Sequence, residues 1–211
     1  MEFRVVVAKV GGSVARRGLE CLKALLKELR SLNETVVVIP GGWVFADFSR
    51  LVDSNLNLKA ELSHAMGILS MEMYARVIEN FGFKSVTLED FKKIGKGDKL
   101  VLLPYSSGLH ESELPKSWRV TSDSIAVWVA QKLKEWGHDI AVLKVTDVDG
   151  VFEGDRLLSR VKAEEVYGCV DDYALKLIRK YGIRLFVCNG TKRGRVKDYI
   201  VEGRTLGTLI E

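Results

Sequence analysis

Residues 3–10 form a valine-rich apolar run, interrupted only by Arg4 and Lys9 and closed by Gly11-Gly12, which is the pattern of a buried strand. Leu19, Leu22, Leu25, Leu26 and Leu29 then recur at helical spacing and predict an amphipathic helix. A second buried strand is expected over 35–39, halted by Pro40-Gly41-Gly42, and a helical pattern returns over 58–81 with Gly82 as its cap. Residues 99–104 predict a short strand, followed by a polar loop through Ser106, Gly108 and Pro115. The rest reads as a helix over 124–136, a strand over 139–145, a helix over 171–181, a strand over 184–188 and a turn at Asn189-Gly190. Residues 203–210 predict a final hairpin or edge strand. Strands that are apolar throughout and alternate with helices predict an α/β fold: a three-layer αβα sandwich around a mainly parallel sheet. No repeat, low-complexity tract or linker divides the chain, so residues 1–211 are expected to form a single domain.

Composition narrows the function classes. The net charge of +4 comes from 32 basic and 28 acidic residues with no polybasic run, so no nucleic-acid partner is expected. Cys21, Cys169 and Cys188 are odd in number and lack CxxC spacing, which argues against a disulfide framework or a zinc site. No apolar run approaches the roughly 18 residues a bilayer span needs, and residues 1–10 carry no signal-cleavage pattern, so a cytoplasmic protein without a membrane partner is expected.

Ligands of such sheets gather at the carboxyl ends of the strands, and three turns, each feeding a helix, are expected there. In the first, Lys9-Val10-Gly11-Gly12-Ser13, glycines let the main chain approach phosphate oxygens and Lys9 adds a charge. The second is Pro40-Gly41-Gly42, leading into Trp43. The third, Thr121-Ser122-Asp123-Ser124, carries more polar groups than helix capping needs: Thr121 and Ser122 suit a phosphate, and Asp123 suits lysine ammonium groups. Lys144 ends a buried strand, where a long cation is costly unless an anion meets it. Each feature also has a plainer reading, as a strand-to-helix turn, a cap or a snorkelling lysine. Walker A, GxGxxG, protein-kinase, GxSxG and HExxH patterns are all absent.

Taken in order, these segments resemble the amino acid kinase superfamily, which includes uridylate, acetylglutamate, aspartate and isopentenyl phosphate kinases. The resemblance runs from Lys9 to Leu209. Thr121-Ser122-Asp123-Ser124-Ile125-Ala126, Leu143-Lys144-Val145-Thr146 with Val148-Asp149-Gly150-Val151-Phe152, and Gly207-Thr208-Leu209-Ile210 are similar to segments of the uridylate kinase branch. Against that branch, His64-Ala65-Met66-Gly67 stands where an aspartate holds the nucleotide sugar. A glycine triplet is also cut to Gly41-Gly42, with Pro40 or Trp43 in place of the third glycine, and the stretch between Phe152 and Asp171 is short. A smaller branch is more similar: kinases that phosphorylate an aminomethylfuran-methyl phosphate in methanofuran biosynthesis. Phe45-Ala46-Asp47, His64-Ala65-Met66 with Met71-Glu72-Met73-Tyr74, and LPKSWRVTSDS from Leu114 to Ser124 carry that likeness.

The resemblance implies an amino acid kinase (carbamate kinase-like) fold and an ATP-dependent kinase using Mg²⁺. The implied acceptor is the phosphate group of a small molecule, with [5-(aminomethyl)furan-3-yl]methyl phosphate first and uridylate or another phosphomonoester as the alternative. A non-catalytic nucleotide-binding protein is the alternative of another class. Lys9 and Lys144 would flank the transferred group, fixed by Asp123, while Gly11, Gly12 and Ser13 cradle the ATP phosphates. Thr146, Phe152 and Asp155 would line the nucleotide pocket, and Gly41, Gly42, His64, Thr121 and Ser122 would hold the acceptor. No metal ligand is expected from protein side chains. Asp171 and Asp172 read either as nucleotide or Mg²⁺ contacts or as helix-start carboxylates, and the family likeness implies a homo-oligomer.

Overall fold

The computed structural model describes residues 4–211. The chain runs β1 (Arg4–Val10), α1 (Gly12–Arg16), α2 (Leu19–Arg30), β2 (Thr35–Pro40), α3 (Trp43–Leu56), α4 (Ala60–Glu79), β3 (Lys84–Val86) and β4 (Lys99–Leu102). It continues with α5 (Ser122–Glu135), β5 (Asp139–Thr146), β6 (Phe152–Glu153), β7 (Arg156–Leu157), β8 (Arg160–Val161), α6 (Asp172–Tyr181), β9 (Leu185–Asn189), α7 (Arg195–Glu202) and β10 (Thr208–Ile210). Eight strands form one sheet in the order β3-β4-β2-β1-β5-β9-β10-β8, and β6 and β7 pair separately as a small hairpin. Every neighbour in the large sheet is parallel except β9 and β10.

The apolar strands are explained by burial on both faces. Val5 and Val7 of β1 enter one core with Ile125, Val129 and Leu133 of α5 and Leu177 and Ile178 of α6. Val6, Ala8 and Val10 enter the other, with Leu22, Leu25, Leu26 and Leu29 of α2 and Val196 and Ile200 of α7. Leu22, Leu25, Leu26 and Leu29 each contribute roughly 1.5–3 kcal/mol by leaving water, which offsets the cost of ordering the helix, while Leu19 at its start stays exposed. Helix α4 contributes to both cores: Ile68 and Met71 to the first, Tyr74 and Ile78 to the second.

Parity on these strands decides where the lysines point. Lys9 follows Val5 and Val7, and Lys144 follows Val142, so both face the α5 side of the sheet. The parallel register then sets Lys9 directly beside Lys144.

The structure corrects several expectations. Residues 203–210 supply no edge strand: β10 lies between β9 and β8, with Thr208 and Ile210 fully buried. The first glycine turn feeds the five-residue α1 rather than the leucine helix, because Gly18 at φ +123° breaks the path before α2. The third turn follows the loop 103–120, not a strand end. Helix α7 and the short strands β3, β6, β7 and β8 went unpredicted, and Phe3, the expected start of the first strand, lies outside the described residues.

Candidate active site

The carboxyl ends of β1, β2 and β5 meet at the centre of the sheet, where the strand order runs outward from β1 in opposite directions, through β2 on one side and β5 on the other. Such a switch point leaves a crevice that helices do not fill. Glycines interlock the first two turns there. A Cβ on Gly12 would lie 2.6 Å from Trp43 Cα, and one on Gly41 would lie 3.1 Å from Gly12 N. A Cβ on Gly42 would lie 2.3 Å from Ala46 Cβ. The N–H groups of Gly11 and Gly41 are spent on the carbonyls of Val145 (3.0 Å) and Val10 (2.9 Å), so these two residues pin the turns together and do not donate to a phosphate. Trp43 sits at φ +46°, a backbone that glycine adopts without strain, and so takes the place of the third glycine.

Asp123 rises from the first turn of α5 into the space between the lysines. Lys144 Nζ donates to Asp123 Oδ2 at 2.5 Å and to the Cys169 carbonyl at 2.5 Å, and Lys9 Nζ is ion-paired with Asp123 Oδ1 at 3.0 Å. All three are buried. Burial by itself would raise the Asp123 carboxyl, but Lys9 and then Lys144 overcome it and hold the group below the usual carboxylate range. Burial also pushes the Lys9 ammonium below the usual lysine range, against the raising effect of Asp123 and helped by the like charge of Lys144. Two cations on one carboxylate leave a buried net positive charge, which an incoming anion would relieve.

Next to this centre is a half-open cavity with two matching helical walls. From α3 it takes Trp43, Asp47 and Arg50 at i, i+4, i+7 spacing, and from α4 His64, Gly67, Ile68 and Met71 at i, i+3, i+4, i+7. Gly12, Ser13 and Arg16 lie on a third side, and Trp118, Thr121 and Ser122 on a fourth. His64 is 5% exposed and its Nε2 has no hydrogen-bond partner among the described residues, while burial, and after it Lys116, hold the imidazole below its ordinary pKa. The Trp118 indole N–H donates to Asp53 Oδ2 at 2.6 Å, its ring lies against Gly67, and the Arg50 guanidinium stands 4.8 Å from its centroid. Ser63 donates to the other Asp53 oxygen at 2.6 Å, so one carboxylate fixes the ring. A second groove, sharing Trp118 and Thr121 with the first, opens onto Asp123 and Lys144 beside Gly168, Cys169 and Asp172.

Gly12, Ser13, Gly42, His64, Thr121 and Ser122 thus come together around one cavity. Ser13 Oγ lies 3.1 Å from Thr146 Oγ1, which joins the first turn to the end of β5. Phe152 and Asp155 stand apart, on the exposed β6–β7 hairpin. Asp171 is a structural clamp: it accepts from the hydroxyls of Thr121 (2.7 Å) and Ser124 (2.5 Å) and from the Ala174 N–H that it caps (2.8 Å). Thr121 therefore spends its hydroxyl hydrogen on Asp171 and accepts from the Asp123 N–H, a capping role beside the cavity. Sequence reading missed Arg16, Arg50 and Asp53. Among the aromatics, Trp43 and Trp118 face the cavity, Tyr74 packs behind Trp43, and Tyr105 stacks on His110. Among the described residues no three His, Cys, Asp or Glu side chains are grouped to hold a metal ion, and no helix is long and apolar enough to cross a membrane.

The fold is shared with solved uridylate kinases. The enzyme of Ureaplasma parvum superposes with a TM-score of 0.74 at 16% identity over the whole of both chains, and that of Bacillus anthracis with 0.75 at 19%, covering 100% of this chain and 97% of the other. In sequence, the [5-(aminomethyl)furan-3-yl]methyl phosphate kinase of Methanocaldococcus jannaschii is 32% identical over 207 residues, 94% of this chain and 93% of that protein. The uridylate kinase of Thermococcus onnurineus is 24% identical, covering 98% and 99% of the two chains. The profile of the amino acid kinase family matches residues 4–189, a span that holds Lys9, Asp123, Lys144 and every residue lining the cavity. By that match, and with a fold and relatives that agree, this chain belongs to the amino acid kinase family and is a phosphotransferase.

Proposed function

We propose that this kinase transfers the γ-phosphoryl group of ATP to the phosphate of [5-(aminomethyl)furan-3-yl]methyl phosphate, giving the diphosphate and ADP. An acceptor phosphate oxygen attacks the γ-phosphorus, and the bond to the β,γ-bridging oxygen breaks with its electrons leaving on ADP. A phosphate oxygen is already nucleophilic at neutral pH, so no general base is needed. Repulsion is the obstacle: each like-charge pair at about 4 Å costs roughly 4 kcal/mol at an effective dielectric of 20. The observation that carries this reading is the pair of buried ammonium groups sharing one carboxylate, beside a cavity with room for an anion.

Lys9 and Lys144 neutralise the transferred group, and Asp123 fixes them. Gly12 and Ser13 serve the ATP phosphates, with Gly11 holding their turn in place, and Thr146, Phe152 and Asp155 border the nucleotide. Gly42 at the start of α3, His64 and Ser122 receive the acceptor phosphate, with Gly41 and Thr121 in support. The Asp123 and Asp171 oxygens are already committed within the protein, so Mg²⁺ would arrive on the ATP phosphates, which it would help to neutralise. Trp118 gives the cavity a flat wall suited to a furan ring, and the 32% identical relative bears the name of this acceptor. Free cysteines Cys21, Cys169 and Cys188 suit a cytoplasmic setting. We also propose a homo-oligomer, assembled over the exposed apolar face of Phe48, Leu51, Leu69 and Met73 on α3 and α4.

The test is ADP release from ATP with a panel of phosphomonoesters. The expected outcome is a kcat/KM for the aminomethylfuran phosphate at least about 100-fold above that for uridylate, equivalent to roughly 2.7 kcal/mol. A preference for uridylate would overturn the assignment.

A further inference from the structure

Among the described residues Asp47 is the one carboxylate lining the acceptor cavity, and it is bracketed by cations that line the same cavity. Arg16 donates to its Oδ2, and Arg50 Nη1 stands 3.9 Å from its Oδ1. All three side chains are about half exposed, so the group is open to exchange rather than locked in a core. A guanidinium fork matches a phosphate at least as well as a carboxylate. An acceptor phosphate that passes Arg16 and Arg50 on its way to Gly42, His64 and Ser122 therefore competes with Asp47 for both. Once it wins, Asp47 faces the cavity as a carboxylate deprived of its counter-charges.

We infer that Asp47 selects acceptors that carry their own cation: the acceptor's ammonium group replaces the guanidinium groups that its phosphate draws away. The recognised class is a small phosphomonoester with a protonated primary amine at its other end, on a ring flat enough to lie along Trp118. A nucleoside monophosphate brings the same phosphate without the cation. It leaves Asp47 facing added negative charge, so the carboxylate rejects uridylate as well as attracting the amine. This inference rests on the acceptor reading given above.

The experiment measures kcat and KM for the wild-type enzyme, Asp47→Asn and Asp47→Glu with three acceptors: [5-(aminomethyl)furan-3-yl]methyl phosphate, the same ester with methyl in place of aminomethyl, and uridylate. The wild type is expected to favour the amine by about 10- to 100-fold in kcat/KM, chiefly through KM, the range of one charge-assisted hydrogen bond. Asp47→Asn should bring that ratio within about three-fold, and Asp47→Glu should restore a preference because it returns the charge. If Asp47→Asn keeps the wild-type ratio, or loses activity on both esters in proportion, Asp47 does not read the amine while the acceptor assignment stands. If the wild type uses neither furan ester but turns over uridylate, the acceptor assignment falls and this inference with it.

Discussion

The centre at Lys9, Asp123 and Lys144 and the cavity beside it differ in how the chain builds them. The centre hangs on two adjacent central strands whose register sets the lysines side by side, with a helix start above them supplying the carboxylate. The cavity is assembled from helix faces and a long loop, with residues as far apart as Arg16 and Trp118, and its charges are paired at the surface. The first is rigid and buried and suits a step common to a family. The second can change residue by residue without touching the sheet, which is where acceptor choice can vary. Folds of this kind separate chemistry from specificity by that division.

The sharpest way to break the comparison is to remove one cation from the centre. Lys144→Ala should lower kcat by at least about 1000-fold, roughly 4 kcal/mol of barrier, with a much smaller change in KM for the acceptor. Steady-state kinetics checks this, and a loss confined to KM would place Lys144 with the cavity residues instead.

Next in size, Asp123→Asn leaves two buried ammonium groups without their carboxylate. It should destabilise the fold by about 3–5 kcal/mol in urea unfolding. The depressed pKa of Asp123 fixes the sign with pH: its stabilisation is fully present above the ordinary value of 3.8 and is lost as pH falls through the folded value. The wild type should therefore lose stability steeply under acid, and the variant should show a shallower acid limb.

On the cavity side, Asp53→Asn weakens the hold on Trp118 without touching the lysines. It should raise the acceptor KM about ten-fold and leave the KM for ATP within about two-fold. An equal effect on both would show that Trp118 does not belong to the acceptor wall alone. The smallest change expected is in a pH profile. Burial lowers the Lys9 pKa, so activity should fall on the alkaline side before the ordinary lysine value of 10.5, as that charge is lost. Lys9→Arg, whose charge persists above about pH 12, should remove that limb even if its rate is lower.

The same division explains what was legible in the sequence. Lys144 lies near the end of a buried strand, where the expense of burying a cation points to it, and Lys9 stands beside a glycine turn; that the two share one face and one register needs the paired strands. Asp123 followed from the excess of polar groups before an apolar helix. The glycines were legible as positions but not in their tasks, because only the packed structure shows that Gly12 and Gly41 make room for a neighbouring turn. Arg16, Arg50 and Asp53 carry no local signal, because nothing in the sequence around them says that their helix faces converge. The spacing of Trp43, Asp47 and Arg50 is present in the sequence, but it acquires meaning only once α3 is known to run from Trp43 to Leu56. The pattern of residues 203–210 suggests a hairpin or an edge because the three residues of β10 carry no sign of having neighbours on both sides.

The most direct test of the account is a structure of the enzyme with a non-hydrolysable ATP analogue and acceptor bound together. Lys9 Nζ and Lys144 Nζ should both lie within about 4 Å of oxygens on the γ-phosphate, with Asp123 still between them. A complex with the phosphates seated elsewhere, and both ammonium groups still turned only to Asp123, would contradict it.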